Sequence, residues 1–401
     1  MPKGPDSSSP RSGPNKPAGA GTPAKKARRA PDAHDPTRPT VTILGLGQMG
    51  LVCAGLLASE RHGSAAPEDA DRPGAIPTTR PVNVRLWGHD PDEAGQIAQS
   101  RKSVRLPGFD LPTRVHVCLN DAEALEGSDL IVSAVPVQFM REAWARLAPH
   151  VPKNAGAVSV AKGIENGTLL RPTQIIAEVL HKAGRDDPDG KPRPLGVLSG
   201  PTIAAEMARG LPTTMIAASD DPAFARAMQG LFSGSWMRIY TQTDVLGVEL
   251  AGAVKNVVAI AAGIVDGLQA GNNAKSALLA RGLAEIARLG LSMGASPETF
   301  FGIAGVGDLA TTCFSPEGRN RTCGEALGKG TPLDEFLKGS AHVVEGVATT
   351  KSVVALAAKY KVEMPIVQAV HAVLFEDMDP IDAIGRLMSR QPKAERVGRI
   401  G

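Results

Sequence analysis

The chain has 401 residues, 42% of them hydrophobic and 21% charged, which is enough for a large buried core divided among two or three domains. The formal net charge is +3, but residues 1–39 hold eight Lys or Arg and three Asp or Glu, so the remaining 362 residues carry −2. Aromatic residues make up only 3%. A folded part that is not basic and has few aromatic side chains argues against nucleic-acid binding.

The first 39 residues differ in composition from the rest. They contain nine prolines and no Val, Ile, Leu, Phe, Trp or Tyr, so nothing there offsets the entropy of ordering the backbone. We predict a disordered, basic Pro/Ala-rich tail over residues 1–39. Its lysines and arginines at residues 25–29 suit an acidic partner, although a merely solvated tail is the simpler interpretation.

The cysteines and the apolar stretches indicate the compartment. Four scattered cysteines form no CxxC pair, so they predict ordinary thiols in a reducing compartment, without a metal site or a disulfide framework. No apolar N-terminal run resembles a secretion signal. The most apolar long stretch, residues 246–268, contains Glu249, Lys255 and Asp266, which a membrane span tolerates poorly. We therefore predict a cytoplasmic protein with no membrane span and no bound metal.

The first ordered elements predict the start of a βαβ unit. Residues 41–44 form a β-branched run that ends at Gly45, and a helical pattern covers residues 49–58. The second strand, at residues 82–87, follows residues 63–81, which exceed an ordinary connection and are interpreted as an insertion. Further strands are predicted at residues 115–117, 130–135, 157–160, 195–198 and 214–217, with helical stretches such as 139–147 and 173–180 between them.

These elements imply two domains. The strand runs are mostly apolar instead of alternating, as in strands covered on both faces, and this favours a doubly wound, mostly parallel sheet. After about residue 243 helical patterns dominate, at residues 246–268, 274–289, 345–360 and 367–374. We predict an α/β protein with a Rossmann-type sheet domain at residues 40–242, followed by an all-α C-terminal domain at residues 243–395.

A glycine-rich turn lies between the first strand and its helix. Gly45 permits a tight turn, Gly47 lets the backbone approach a pyrophosphate, and Gly50 allows close packing of the helix. The free N–H groups at the helix start attract an anion. At the front of a βαβ unit this pattern predicts dinucleotide binding.

The end of the second strand bears on the choice of cofactor. An acidic residue there accepts hydrogen bonds from the ribose hydroxyls of NAD and repels the extra phosphate of NADP. In this chain Gly88 and His89 come before Asp90. NADP is thus permitted as well as NAD. His89 either contacts the cofactor or is an ordinary surface residue of a turn.

Two further segments follow strand ends, where ligands of such sheets gather. Lys162 is placed to neutralise a phosphate or to polarise a carbonyl. The alternative is an ordinary solvent-exposed lysine in a loop. Gly200 and Thr202 precede a predicted helix at residues 203–208, whose first amides suit an anion or a carbonyl. A plain capping turn explains the same residues.

Candidate chemistry also lies in the helical region. Lys255 has apolar neighbours at helical spacing, so it either extends to water or is desolvated and fit for proton transfer. Glycines surround Asp308, and Arg319 with Asn320 follows within a dozen residues, a pattern more typical of a ligand loop than of a core. The planar fork of arginine suits phosphate, while a salt-bridged structural loop is the alternative.

Together these segments resemble one family, the bacterial-type NAD(P)-dependent glycerol-3-phosphate dehydrogenases. The resemblance runs from about residue 41 to residue 392. Its motifs lie at residues 45–50, 87–90, 161–163, 199–206, 252–257, 281–285, 307–309, 319–321, 343–346 and 364–366.

The resemblance implies roles for individual residues. Lys255 is implied as the proton donor and acceptor, with Asp308 and Lys162 in the same catalytic group. Implied cofactor contacts are Gly45, Gly47, Gln48, Met49, Gly50, His89, Lys162, Ala204, Arg319, Val343 and Glu345. Implied substrate contacts are Lys162, Gly200, Thr202, Lys255, Asp308, Gly318, Arg319 and Asn320.

Two positions depart from the family pattern. Gly318 stands where the family usually has serine, so one hydroxyl contact to phosphate is missing or replaced by the backbone N–H. Val137 follows Pro136 where serine is common.

The reaction implied is reversible reduction of dihydroxyacetone phosphate to sn-glycerol 3-phosphate by NADH or NADPH, in a homodimer that supplies glycerophospholipid synthesis. One alternative is another dehydrogenase with a helical second domain, of the β-hydroxyacid or ketopantoate reductase type. A second alternative is a non-catalytic regulator that senses a dinucleotide.

Overall fold

The computed structural model describes residues 35–59, 79–186, 192–340 and 343–392. The predicted tail up to residue 34, residues 63–78 of the predicted insertion and residues 393–395 lie outside the described residues. The last residues of the predicted tail belong to the fold. The Asn83 side chain donates hydrogen bonds to the backbone oxygens of Asp35 and Arg38, at 2.8 and 3.0 Å.

Eight strands form one sheet. They are β1 (Thr40–Leu44), β2 (Asn83–Trp87), β3 (Val115–Cys118), β4 (Leu130–Ser133), β5 (Gly156–Ser159), β6 (Leu195–Ser199), β7 (Thr213–Ala218) and β8 (Met237–Gln242). Their order is β3-β2-β1-β4-β5-β6-β7-β8, and neighbours are parallel except for β6 and β7. The strand order reverses direction between β1 and β4, and the crevice at such a point is where open α/β sheets bind ligands.

Helices cover both faces of the sheet. They are α1 (Gln48–Ala58), α2 (Pro91–Ser100), α3 (Asp121–Leu125), α4 (Val137–Leu147), α5 (Pro172–Lys182), α6 (Ala204–Ala208) and α7 (Pro222–Phe232). Ile43 packs into one core cluster with α1 and α7, and Leu44 packs into another with α4 and α5. Successive residues of a strand point to opposite faces, so the apolar run of β1 serves both layers.

Among the described residues, the elements after β8 are helical. They are α8 (Val245–Gly267), α9 (Gly271–Ser292), α10 (Pro297–Phe301), a π-helical turn (Ile303–Gly307), α11 (Asp308–Phe314), α12 (Arg319–Gly328), α13 (Leu333–Gly339), α14 (Glu345–Lys359), α15 (Pro365–Phe375) and α16 (Pro380–Met388). Helix α8 is long and apolar enough to cross a membrane, but its apolar window is 100% buried inside the fold. It is the core helix of this region.

The sheet and the helical region share an apolar contact. Val197 and Ile216 of β6 and β7 cluster with Val245 and Val248 of α8. The buried Glu249 carboxylate of α8 also accepts hydrogen bonds from the backbone amide and the hydroxyl of Thr173, each at 2.8 Å. These contacts fix α8 against the strand ends.

The predicted fold class is confirmed, and the prediction missed one strand. In β8, Met237 and Ile239 are buried while Arg238 and Tyr240 are exposed. One face of β8 is buried and the other is solvated, so its sequence has no continuous apolar run of the kind that marked most of the other strands. The domain boundaries at residues 242 and 395 stay a prediction.

Candidate active site

The glycine-rich turn has the shape that a dinucleotide requires. Gly45 has a φ of +116°, a conformation that other residues rarely adopt. A Cβ on Gly50 would lie 1.9 Å from the Gly45 carbonyl oxygen, so only glycine lets α1 start this close to the turn. A Cβ on Gly47 would meet nothing within 4 Å, because this residue borders open space. The turn therefore leaves room for a phosphate at the start of α1.

A cleft of about 400 Å³ opens beside this turn. Most of the cofactor residues implied by the resemblance line it, namely Gly45, Gly47, Gln48, Met49, His89, Arg319, Val343 and Glu345. Gly50 lies behind the turn, and Ala204 packs into the sheet core. Lys162 directly follows the lining residue Ala161. The cleft is thus bounded by the sheet on one side and by α12 and α14 on the other.

The far end of the cleft, beyond β2, carries an ion pair that the sequence analysis missed. Glu93 in the first turn of α2 accepts hydrogen bonds from Arg105 Nε and Nη2, at 2.6 and 3.1 Å. Both side chains line the cleft. Asp90 is the N-cap of α2, and its Oδ1 accepts hydrogen bonds from the backbone amides of Asp92 and Glu93.

Two lysines meet one buried carboxylate at the base of the site. Lys162 Nζ lies 2.7 Å from Asp308 Oδ2, and Lys255 Nζ lies 2.6 Å from Asp308 Oδ1. Asp308 is 0% exposed. Two ammonium groups around one carboxylate leave a net positive charge in a site with little water, which attracts an anion.

Lys162 is held by both halves of the protein. Its Nζ donates to the Gly200 oxygen at 2.8 Å and to Thr202 Oγ1 at 3.1 Å, both after β6. The Asn256 side chain of α8 donates to the Lys162 backbone oxygen at 3.0 Å. Burial lowers the pKa of Lys162 to about 8; Asp308 opposes this decrease, and the nearby Lys255 ammonium adds to it.

Lys255 lies inside the fold and does not extend to water. It is 6% exposed, and its Nζ donates to Asp308 and to the Thr312 hydroxyl. Thr312 Oγ1 in turn donates to the Asp308 backbone oxygen at 2.8 Å. Thr312 and Asn256 are site residues to which the sequence analysis assigned no role, because a lone threonine or asparagine in a helix does not indicate one.

The position of Asp308 depends on an irregular backbone. The π-helical turn Ile303–Gly307 comes directly before it, and such turns are frequent at functional sites. A Cβ on Gly305 would lie 2.0 Å from the Phe300 oxygen. The glycines of this segment therefore permit a close approach that brings the start of α11 under Lys162 and Lys255.

Arg319 and Asn320 begin α12 at the edge of the cleft. Within the described residues Arg319 makes no hydrogen bond or ion pair, so its donors face the cleft unused. Asn320 Oδ1 accepts from the Gly346 amide at 2.9 Å, which links α12 to α14. Burial raises the pKa of the Glu345 carboxyl, against the opposing effects of Arg319, Lys162 and Lys255. Gly318 is the N-cap of α12, where a Cβ would lie 3.1 Å from the Thr312 oxygen.

One group of potential metal ligands lies elsewhere, on the edge strand β3 and on α3. Ligand atoms of His116, Cys118 and Glu123 lie within 4.8 Å of one another. His116 Nε2 and Glu123 Oε1 are already hydrogen-bonded to each other at 2.5 Å. The expectation that the protein binds no metal stays a prediction.

Comparison with known proteins agrees with this geometry. Family models for the N-terminus and the C-terminus of NAD-dependent glycerol-3-phosphate dehydrogenase match residues 40–225 and 244–385. The chain is 46% identical to glycerol-3-phosphate dehydrogenase [NAD(P)+] 1 of Salinibacter ruber over 78% of this chain and 90% of that protein. It is 42% identical to the Bacillus pumilus glycerol-3-phosphate dehydrogenase [NAD(P)+] over 87% of this chain and 94% of that protein.

Solved structures give the same result. The crystal structure of a glycerol-3-phosphate dehydrogenase from Coxiella burnetii is similar with a TM-score of 0.77 and 34% identity, covering 88% of this chain and 99% of that chain. The fold is therefore shared with that enzyme along nearly its whole length. The chain belongs to the NAD-dependent glycerol-3-phosphate dehydrogenase family.

Proposed function

We propose that the chain is an NAD(P)-dependent dehydrogenase that interconverts dihydroxyacetone phosphate and sn-glycerol 3-phosphate. The observation that carries the proposal is the Lys162–Asp308–Lys255 bridge. Ala161, directly before Lys162, lines a cleft that also has a dinucleotide turn and, at its rim, Arg319, which makes no hydrogen bond or ion pair to a described residue. A ketone, its phosphate and a nicotinamide each need one of these three features.

The residues of the cleft fit a dinucleotide. Gly45, Gly47 and Gly50 give the turn from Gly45 to Gly50 no side chains at three positions, and the first amides of α1 would hold the pyrophosphate of a dinucleotide. Gln48, Met49 and His89 border it from the sheet side, and Val343 with Glu345 borders it from the helical side. When bound, NAD(P)H supplies the hydride, so the protein is left to orient the substrate and to move the proton.

Lys255 is the proton donor in reduction and the proton acceptor in oxidation. Negative charge grows on the ketone oxygen during reduction, and an ammonium beside that oxygen stabilises it and then gives up a proton. Its place in α8, 6% exposed, excludes most competing water. Asp308 and Thr312 fix the direction of the Nζ group.

Lys162 and Asp308 support that proton transfer. Asp308 holds both ammonium groups and keeps two like charges together in a buried site. Lys162, fixed by Gly200 and Thr202, adds positive charge beside the reacting carbonyl and beside the phosphate. Arg319, with Asn320 and the N-cap amide region at Gly318, holds the phosphate at the start of α12.

The alternatives predict different ligands. A β-hydroxyacid or ketopantoate reductase acts on a carboxylate, whereas family membership and Arg319, which has no partner among the described residues, favour a phosphate ester. A regulator that only senses a dinucleotide has no use for the Lys255–Asp308 pair, whose burial carries a desolvation cost. The dehydrogenase is therefore the better explanation of the site.

We further propose a setting for this activity. The product is used for glycerophospholipid synthesis, the protein acts in the cytoplasm, and it forms a homodimer. The first and last of these statements come from the resemblance, and the cytoplasmic location comes from the cysteines and the apolar stretches of the sequence. Sedimentation of the purified protein tests the homodimer.

One assay tests the function. Purified protein is mixed with dihydroxyacetone phosphate and either NADH or NADPH, and the nicotinamide absorbance is followed. Loss of absorbance only with the phosphorylated ketone supports the proposal. Turnover of ketopantoate or another carboxylate in its place, or no turnover of any of them, overturns it.

A further inference from the structure

The far end of the cleft, beyond β2, determines which dinucleotide fits. This is where the second ribose of a dinucleotide lies in a Rossmann-type sheet. The residues there that bear charge or can gain it are Asp90, Glu93, Glu142, His89 and Arg105. NADP differs from NAD only by a phosphate on that ribose, so the free groups among these residues decide the preference.

The acidic residue that marks an NAD site does not directly follow β2. The first residue after β2 is Gly88, where a Cβ would lie 2.2 Å from the Leu46 side chain, so a larger residue there requires Leu46 to move. The next acid, Asp90, uses its Oδ1 to cap α2, at 2.9 Å from the Asp92 amide. Capping occupies one of the two carboxylate oxygens, which leaves fewer acceptor positions for ribose hydroxyls.

Glu93 is neutralised by Arg105, and the arginine keeps free donors. The pair uses Arg105 Nε and one N–H of Nη2, at 2.6 and 3.1 Å from the two carboxylate oxygens. A guanidinium has five N–H donors, so three remain for another anion. The pair is partly open to solvent, with side-chain exposures of 38% for Arg105 and 24% for Glu93, so a ligand can reach it.

The loop that carries Arg105 is held in place. Arg101, the C-cap of α2, donates from its side chain to the backbone oxygens of Leu111 and Val115, which closes the loop before β3. Leu106, directly after Arg105, is 2% exposed and anchors the loop in the core. An arginine fixed in this way loses little side-chain freedom when it binds a phosphate.

We propose that Arg105 recognises the 2′-phosphate of NADP and gives this enzyme a preference for NADP(H) over NAD(H). The inference rests on the proposed function, since it assigns the adenosine end of the same cleft. Glu93 is paired with the guanidinium at the cleft, and its negative charge opposes the phosphate. Asp90 and Glu142 line the same cleft and repel the phosphate, so the direct contact with the Arg105 guanidinium has to outweigh them.

Direct binding separates this inference from the proposed function. Titration of the full chain with NADPH and with NADH, followed by nicotinamide fluorescence without substrate, is expected to show tighter binding of NADPH. Arg105→Ala is expected to weaken NADPH binding by about tenfold or more, because a charge-assisted contact is lost. NADH binding is expected to stay within about twofold of the wild-type value. Adenosine 2′,5′-bisphosphate and AMP, used as competitors, extend the test to the phosphate alone.

Two further variants control for a structural effect. Glu93→Gln removes the opposing carboxylate and is expected to keep or strengthen the NADPH preference. Arg105→Lys keeps the positive charge but loses the planar two-pronged guanidinium, so its NADPH affinity is expected to lie between those of the wild type and Arg105→Ala. Equal binding of both dinucleotides by the wild type, or equal weakening of both in Arg105→Ala, overturns the inference and leaves the dehydrogenase function intact. Binding of neither dinucleotide overturns both.

Discussion

The Lys255 ammonium lies 2.6 Å from Asp308 Oδ1, although the two residues are 53 positions apart in the chain. Lys255 belongs to the core helix α8, and Asp308 starts α11 after a π-helical turn. Neither group is stable alone in this position, because an unpaired buried charge is costly. The pair therefore keeps an ammonium inside the protein, where its charge acts more strongly than it does in water.

Replacement of Lys255 tests its role in proton transfer. Lys255→Ala is expected to lower kcat by about two to four orders of magnitude, the usual contribution of a positioned acid or base. Cofactor binding is expected to be retained, because the cleft residues are different ones. Steady-state kinetics and nicotinamide fluorescence measure the two quantities. Lys359→Ala, on the exposed end of α14, is the matched control, and a Lys255→Ala enzyme with normal turnover contradicts the assignment.

Lys162 gives the reaction a pH dependence with a defined sign. Burial lowers its pKa to about 8, so below this pH it is an ammonium and above it is neutral. The positive charge that attracts the phosphorylated ketone is thus lost as the pH rises through about 8. We expect kcat/KM for reduction, which reports groups of the free enzyme, to decrease above that pH.

Lys162→Arg identifies the group responsible for this decrease. A guanidinium stays protonated over the whole range, so the variant is expected to lose the break near pH 8 while the overall rate is lower. The measurement is a pH profile of kcat/KM from pH 6 to about 10 for both enzymes. An unchanged break in the variant assigns the titration to another group.

The sequence predicted the parts of the site better than their arrangement. The turn at Gly45 to Gly50 was predictable because its three glycines lie close together in the chain and each is required for a different steric reason. The bond between Lys162 and Asp308 joins residues 146 positions apart, and no spacing rule carries such a distance. Arg105 was missed because a lone arginine in a loop has no pattern, and the edge strand β8 was missed because it has no continuous apolar run.

Replacement of Arg319 tests the phosphate contact. Arg319→Ala is expected to raise KM for dihydroxyacetone phosphate by about ten- to a hundredfold, because a charge-assisted contact is lost. The slow reduction of unphosphorylated dihydroxyacetone is expected to be unaffected. Arg238→Ala on the edge strand β8 is the matched control. Equal losses for both ketones rule out a phosphate contact.

The distance between Lys255 and the start of α12 depends on glycines where α8 crosses α12. A Cβ on Gly263 of α8 would lie 1.9 Å from the Arg321 oxygen of α12, so Gly263→Ala is expected to push α12 away, with a loss of about 1–3 kcal/mol in the free energy of unfolding. Because Arg319 and Asn320 begin that helix, KM for the phosphorylated ketone is expected to rise as well. Gly385→Ala on α16, where a Cβ meets nothing within 4 Å, is the control and is expected to stabilise the protein slightly. Urea unfolding and steady-state kinetics measure both effects, and lower stability with an unchanged KM means that the crossing does not position the phosphate site.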